Sequence, residues 1–208
     1  MMERNDYDWR SDHAALDPRA REVLDFWFGA PHEAAFGAAR KIWFDGGPAL
    51  DATLRERFGA LLDAAREGAC DAWSDTPLGA LALIVLLDQF SRNIHRGTPR
   101  AFAADAAALA RARALVERGH DRLLPNPHQR AFAYLPFEHD ETAASQREAV
   151  RLCEQIRHEA GCAGYHDFAL KHADVIARFG RFPHRNAILG RPSSDAEQAF
   201  LREPGSSF

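Results

Sequence analysis

Two short stretches of the sequence place an aromatic residue, an arginine and an asparagine in the same order. The first reads FSRNIHRG over residues 90–97, and the second reads FPHRNAILGR over residues 182–191. The planar guanidinium of arginine matches a carboxylate or a phosphate group, and asparagine can add hydrogen bonds to either. We favour chance over duplication as the origin of the similarity. If the two stretches meet in space, they predict a polar site for an anion.

Asp88 precedes the first stretch, at the end of a helix that we predict over residues 77–90. A carboxylate in the last turn of a helix is unfavourable unless a cation offsets it, and Arg92 and Arg96 follow within two turns. One interpretation, which we favour from this segment alone, is a buried ion pair that fastens the following loop. In the other interpretation, Asp88 orients Arg92 and Arg92 faces a ligand together with Asn93.

A third polar cluster lies in FEHDE, residues 137–141. Pro136 should kink or end a helix there, so we expect the cluster at a junction of two helices. His139 is a candidate general acid–base and Glu138 a candidate for the group that orients it. The cluster lacks the H-E-x-x-H spacing of a zinc site, and we predict no metal.

The helix that we predict over residues 164–179 directs His172 towards the core, together with Phe168 and Val175. A lone histidine on an apolar face is more often a core residue than a ligand-binding residue. The segment after the helix is rich in polar residues, yet its apolar side chains should hold it against the core. Its candidate site residues are Arg181, His184, Arg185 and Asn186.

The elements that must position these residues are helices. Cap residues followed by proline predict helix starts, Ser194 and Glu197 predict a capping box, and no apolar run alternates with a period of two. We predict an all-α fold of eight or nine helices in a stacked antiparallel array, with one domain over residues 16–208 and a loose extension over residues 1–15. The predicted cap–proline starts are Asp17–Pro18, Thr76–Pro77, Thr98–Pro99 and Asn126–Pro127.

Composition excludes several classes of protein. The 208 residues are 46% hydrophobic and 27% charged, which is typical of a globular domain. A net charge of −4 argues against a nucleic-acid partner, and we predict none. No apolar run is long enough to cross a bilayer, so we predict a cytoplasmic protein without a membrane partner. Three cysteines without C-x-x-C spacing predict neither disulfides nor a zinc knuckle, and no motif indicates a cofactor.

Four ordered segments resemble the hallmarks of a bacterial family of unknown function. They are VLDFWFG at 23–29, LDQFSRNIHRGTPRAF at 87–102, YLPFEHDE at 134–141 with Gln146, and RFGRFPHRNAILGR at 178–191. The resemblance implies an all-helical fold similar to tetratricopeptide-like arrays, and no established activity. Its signature positions are Asp88, Gln89, Arg92, Asn93, Arg96, Glu138, His139, His172, Arg181, His184, Arg185 and Asn186.

Three hypotheses for these residues remain open at the level of sequence. The first is a pocket for a small anionic molecule, which in its enzymatic form would be a hydrolase with His139 or His184 as general acid–base and Glu138 as orienting group. The ligand would contact Asp88, Arg92, Asn93, Arg96, His172, Arg181, Arg185 and Asn186. The second hypothesis is a helical module with a groove for a protein or peptide partner. The third is that the residues are purely structural.

Overall fold

Nine helices make up most of the chain in the computed structural model, which describes residues 7–43 and 46–206. Within these ranges no strand occurs, so the all-α prediction is confirmed. The helices are α1 (Trp9–Ala15), α2 (Pro18–Phe28), α3 (Gly47–Arg66), α4 (Pro77–Val85, extended through Leu86–Phe90 and Ser91–Ile94), α5 (Asp105–Glu117), α6 (Pro127–His139), α7 (Ala143–Glu154), α8 (Ala163–Phe179) and α9 (Asp195–Phe200).

The predicted helix starts are mostly confirmed by their hydrogen bonds. The side chains of Asp17, Thr76 and Asn126 each accept a bond from a backbone N–H in the first turn, and Ser194 forms the predicted capping box. The start predicted at Thr98 is wrong, because only a 3₁₀ turn follows it, over Pro99–Phe102. The next α-helix begins three residues later, at α5.

Helix α4 is the centre of the fold. Every residue from Pro77 to Val85 is buried, as expected for a helix that is apolar on all faces. It packs against α2, α5 and α6, and its C-terminal part lies on α3. The elements that carry the predicted site residues are thus arranged around one end of α4.

Helix α4 continues beyond the point where we predicted its end. Leu86–Phe90 form a π-helical segment, and Ser91–Ile94 then complete the helix. A π segment inserts an extra residue into a turn and changes which side chains share a face, and such segments are frequent at functional sites. Asp88 is therefore not in the last turn, and the dipole argument for its partner does not apply to it.

The junction predicted at FEHDE lies between α6 and α7, but Pro136 does not end α6. The helix continues to His139, and Asp140 caps its C-terminus. Thr142 caps the N-terminus of α7. Glu141 instead accepts hydrogen bonds from Arg191 and from the backbone N–H of Phe182, which attaches the segment after α8 to this junction.

Two further features concern the ends of the chain. Residues 1–15 were expected to be loose, but α1 forms within them, and Asp12 accepts a hydrogen bond from the backbone N–H of Leu78 in α4. Residues 1–6 lie outside the described ranges. No helix within the described ranges combines the length and the apolar character needed to cross a membrane.

Candidate functional site

A cavity of about 370 Å³ lies where the end of α4, the end of α6, the start of α8 and the segment after α8 meet. Seven of the eleven predicted site residues line it: Arg92, Arg96, Glu138, His139, His172, His184 and Arg185. The apolar part of its wall is formed by Trp43, Phe102, Phe132, Leu135, Tyr165, Phe168 and Ile188. One side of the cavity is therefore polar and basic, and the remainder is largely apolar.

Asp88 and His139 form a buried pair beside the cavity. The π segment of α4 directs the carboxylate of Asp88 towards α6, where its Oδ1 lies 2.7 Å from Nδ1 of His139. Gln89 donates a hydrogen bond of 2.6 Å to the other carboxylate oxygen. Asp88 is 1% exposed and does not itself line the cavity. It holds the ring of His139, which does.

The charges around this pair determine its protonation. Burial would raise the pKa of Asp88, but His139 and Arg92 outweigh burial and hold the pKa below its usual range. Burial and the positive charge of Arg92 lower the pKa of His139. We therefore assign an ionised Asp88 and a neutral His139 with its proton on Nδ1 at neutral pH. Nε2 of His139 then carries a lone pair, and it makes no hydrogen bond to any residue that the structure describes.

Arg92 is held by Asp105 at the start of α5. Its two terminal nitrogens donate to the two carboxylate oxygens at 2.8 and 3.1 Å, and one of them also donates to the carbonyl of Ala101. Asp88, the partner predicted from sequence, is farther away, at 3.6 Å. This bidentate pair fastens α4 to α5 and satisfies most of the hydrogen-bonding capacity of Arg92.

Arg185 is buried with far fewer partners. Its guanidinium lies over the rings of Phe182 and Phe102, at 4.5 and 4.9 Å from their centroids, and the residue is 6% exposed. The nearest carboxylate oxygen belongs to Asp105, at 3.6 Å. Its side chain makes no hydrogen bond to any residue within the described ranges, and its Nε is buried without a partner. Burial and the nearby charge of Arg92 lower the pKa of Arg185 to about 10, so it remains a cation at neutral pH.

Glu138 and His172 meet on the polar side of the cavity as uncharged groups. The Oε2 atom of Glu138 lies 3.5 Å from Nδ1 of His172, and its Oε1 accepts a weak bond from the thiol of Cys153. Burial raises the pKa of Glu138 to about 8, and burial together with His139 lowers the pKa of His172 to about 3. His172 donates its Nδ1 proton to the carbonyl of Phe168. Glu138 is therefore a neutral carboxylic acid at pH 7, and it does not orient His139 as we predicted.

His184 completes the polar wall. Its ring lies 5.7 Å from that of Phe182, and burial together with the charge of Arg185 lowers its pKa to about 4. It is therefore neutral at pH 7.

The family of the chain follows from a comparison with known families. Residues 23–205 match the model of a family described as "Bacterial protein of unknown function (DUF924)". The chain belongs to this family. The resemblance predicted from the four sequence segments is thus confirmed.

A solved structure supports the fold. The chain is similar to a protein of unknown function, ATU0120 from Agrobacterium tumefaciens, with 37% identity and a TM-score of 0.74. The match covers 88% of this chain and 96% of that one. No curated protein matches the chain significantly.

Three other predicted site residues do not line the cavity and make structural contacts instead. Asn93 donates to the carbonyl of Gln89 and accepts from Arg96. Arg181 makes a bidentate pair with Glu197 of α9. Asn186 is fully buried and bonds to Ser193 and Arg191. These contacts are those of residues that hold loops in place.

Sequence reasoning missed Asp105, which holds Arg92, and the apolar wall of the cavity. Asp105 was missed because it follows Arg92 by thirteen positions in a different helix. The apolar wall was missed because its members are dispersed from Trp43 to Ile188 and look like ordinary core residues. Gln89 lies next to Asp88 and belongs to the family signature. It could have been included among the predicted site residues on that ground.

Proposed function

We propose that the cavity binds a small organic anion that has one carboxylate and an apolar body. The observation that carries the proposal is the environment of Arg185, a buried cation at the cavity wall without a hydrogen bond to any described residue. Leaving a buried donor unsatisfied costs about 1–3 kcal/mol, and more for a charged group. A ligand carboxylate would accept the missing hydrogen bonds in the bidentate geometry that arginine favours.

The charges of the wall favour a monoanion over a phosphate dianion. Arg92 and Arg185 are matched in number by Asp88 and Asp105, and the histidines and Glu138 are neutral at pH 7. A dianion would need a second cation with free donors, but Arg92 is already engaged with Asp105. Arg96, at the edge of the cavity, is engaged with Asp51.

The apolar wall favours a ligand with a hydrocarbon or aromatic body. The rings of Trp43, Phe132 and Phe102 line the cavity, and the ring of Phe102 also packs against the guanidinium of Arg185. The volume of about 370 Å³ lies in the lower part of the range of about 300–1,000 Å³ for small-molecule sites. At roughly 30 Å³ for each water-sized group, it accommodates about a dozen non-hydrogen atoms. A short aliphatic acid or a simple aromatic acid has this size.

The alternative function is a peptide-binding module. In it, a groove of the tetratricopeptide-like array that the resemblance implies would bind a peptide of a partner protein. The burial of Arg185 favours a small molecule, because a peptide lying in an open groove does not reach a guanidinium that is 6% exposed.

Thermal unfolding with defined probes tests the proposal. We would compare hexanoate, benzoate, inorganic phosphate and neutral hexanol on the wild-type protein, on Arg185→Gln and on Arg181→Gln. A ligand at about 100 times its Kd stabilises by about 2.7 kcal/mol, which raises the midpoint by roughly 5–10 °C for a chain of this size. We expect the two carboxylates to do so for the wild type and for Arg181→Gln, whose arginine lies outside the cavity, but not for Arg185→Gln.

Two results would contradict the proposal. One is the absence of a shift with either carboxylate on the wild-type protein. The other is an equal shift in the Arg185→Gln variant, which would place the binding elsewhere. If phosphate raises the midpoint of unfolding and neither carboxylate does, the ligand is a more highly charged anion and not a monoanion.

A further inference from the structure

We propose that the cavity hydrolyses carboxylic esters with an apolar acyl group, with His139 as the general base and Asp88 as its positioning residue. The inference rests on the proposed function, since the carboxylate bound at Arg185 would be the product of this reaction. It adds a reaction to the binding site and names the class of substrate.

The first step is the geometry of the Asp88–His139 pair. A carboxylate at 2.7 Å from Nδ1 fixes the ring and keeps the proton on that nitrogen, which leaves Nε2 as the proton acceptor. The side chain of His139 is 15% exposed and lines the cavity, whereas Asp88 lies behind it at 1%. A histidine that serves only to fasten α6 to α4 would not need to present its other edge to a cavity.

The second step is the nature of the nucleophile. Among the described residues that line the cavity there is no serine, threonine or cysteine. Ser91 and Cys153 are buried nearby but are engaged, with backbone carbonyls and with Glu138 respectively. The hydroxyl of Tyr165 is paired with His128. Water is therefore the nucleophile that the site can offer.

The third step is the stabilisation of developing charge. When water attacks a carbonyl, negative charge develops on the carbonyl oxygen, and fixed donors in a dry site stabilise it. Arg185 has donors without partners and is held between two aromatic rings, so it does not need to reorganise. Its position in the wall suits this oxyanion before cleavage and the product carboxylate afterwards.

The reaction balances with water as the only co-reactant. Nε2 of His139 takes a proton from water while the water oxygen bonds to the carbonyl carbon, and the carbonyl π electrons move onto the oxygen that faces Arg185. Collapse of the tetrahedral intermediate breaks the bond to the alcohol oxygen, which receives the proton from Nε2. The products are the carboxylic acid, which ionises, and the alcohol. Asp88 remains ionised and stabilises the imidazolium that forms in between.

Hydrolysis of two kinds of ester tests the inference. We would measure release of nitrophenolate from p-nitrophenyl hexanoate and release of acid from ethyl hexanoate, since the second ester is not activated and responds little to stray surface groups. We expect His139→Gln to lower kcat/KM by about 10²–10⁴-fold on both esters. His158→Gln is the matched control, because His158 is exposed and lies outside the cavity, and we expect it to keep the wild-type rate.

The role of Asp88 has its own readout. Asp88 raises the pKa of His139, against the effects of burial and Arg92. Asp88→Asn should therefore move the acid limb of the pH–rate profile to lower pH as well as lower the rate. If His139→Gln does not fold, the pH–rate profile of Asp88→Asn still tests whether His139 is the base, because asparagine preserves the shape of the aspartate side chain. An unshifted acid limb in Asp88→Asn would remove the assignment of His139 as the base.

Binding and hydrolysis can fail separately. If hexanoate stabilises the wild-type protein through Arg185 but neither ester is cleaved above the rate in buffer, the hydrolysis is wrong and the binding site stands. If His139→Gln folds and keeps its activity, His139 is not the base. If hexanoate does not bind and no ester is cleaved, both proposals are wrong.

Discussion

The guanidinium of Arg185 lies 3.6 Å from a carboxylate oxygen of Asp105 without a hydrogen bond between them. Asp105 gives its hydrogen bonds to Arg92, which takes both of its oxygens. One carboxylate thus lies near two guanidinium groups, that of half-buried Arg92 and that of buried Arg185, and accepts hydrogen bonds only from Arg92. The two arginine–asparagine stretches of the sequence therefore differ in role, since Arg92 fastens the fold and Arg185 is left for a ligand.

Replacing the two arginines should have unequal effects on stability. Arg92→Ala leaves Asp105 and Asp88 without their main cation in a buried place, and we expect a loss of about 3–5 kcal/mol in the free energy of unfolding. Arg185→Ala removes a buried cation that has no hydrogen bond, and we expect a change within about 1 kcal/mol. Urea unfolding of both variants measures the difference. Equal losses would mean that Arg185 is also a structural residue.

Asp105→Asn should lower the stability of the protein and raise its affinity for a carboxylate ligand. The substitution removes the charge that offsets Arg92 and approaches Arg185, so we expect a loss of stability of about 3–5 kcal/mol. Arg185 then lacks its nearest counter-ion and Arg92 retains only Asp88, at 3.6 Å, so a carboxylate ligand should bind more tightly than in the wild type. Calorimetric titration with hexanoate measures the affinity. Weaker binding in Asp105→Asn would show that the ligand does not approach these arginines.

Glu138 should make the protein less stable as the pH rises above neutral. Its pKa is about 8 in the folded protein against an ordinary value of 4.5, so between these values the folded state holds a proton that the unfolded chain has released. Rising pH then lowers the free energy of unfolding by up to about 1.4 kcal/mol per unit. His172 and His184 act in the opposite sense, but only below their ordinary value of 6.5. From pH 6.5 to 8, the decline from Glu138 should therefore be visible.

Glu138→Gln is the variant that isolates this effect. Glutamine has nearly the same shape and does not ionise, so we expect its free energy of unfolding to remain level from pH 6.5 to 8 while that of the wild type declines. Urea unfolding at several pH values in this window measures both curves. Parallel curves would contradict a neutral Glu138 in the folded protein.

Filling the apolar part of the cavity should discriminate between ligands by length. Ile188 lines the apolar wall, and tryptophan at this position adds volume where we place the hydrocarbon body. We expect Ile188→Trp to abolish the thermal shift with hexanoate and to retain binding of acetate, which needs only the guanidinium. Titration calorimetry with both acids measures the two affinities. Loss of acetate binding as well would indicate a general disturbance of the site.

Local features of the fold were predictable because they depend on neighbouring residues. The caps at Asp17, Thr76 and Asn126 and the capping box at Ser194 each involve atoms within one helical turn. The π segment of α4 was not predictable, because nothing in LLDQF distinguishes it from an α-helical sequence. It nevertheless determines where Asp88 is directed, and thereby the partner of His139.

The partners in the site depend on packing over long distances in the chain. Asp88 and His139 are 51 positions apart, and their pairing requires the contact of α4 with α6. The sequence placed both residues in candidate clusters but assigned Glu138 to orient the histidine. It also treated Arg92 and Arg185 alike, since Asp105, the carboxylate that distinguishes their roles, lies in α5. The residue types were sufficient to identify most of the residues that line the site. The role of each residue depends on its contacts in the tertiary structure.

The most direct test of ligand binding at Arg185 is the NMR signal of its Nε–H group during titration with hexanoate. The side chain of Arg185 makes no hydrogen bond to any described residue, so a carboxylate bound to its guanidinium should shift the Nε–H resonance. The signal of Arg181 should not change, because Glu197 already occupies its guanidinium. A saturable shift confined to the cavity arginines is the predicted result. An unchanged Arg185 signal at saturating hexanoate would contradict the proposed binding mode.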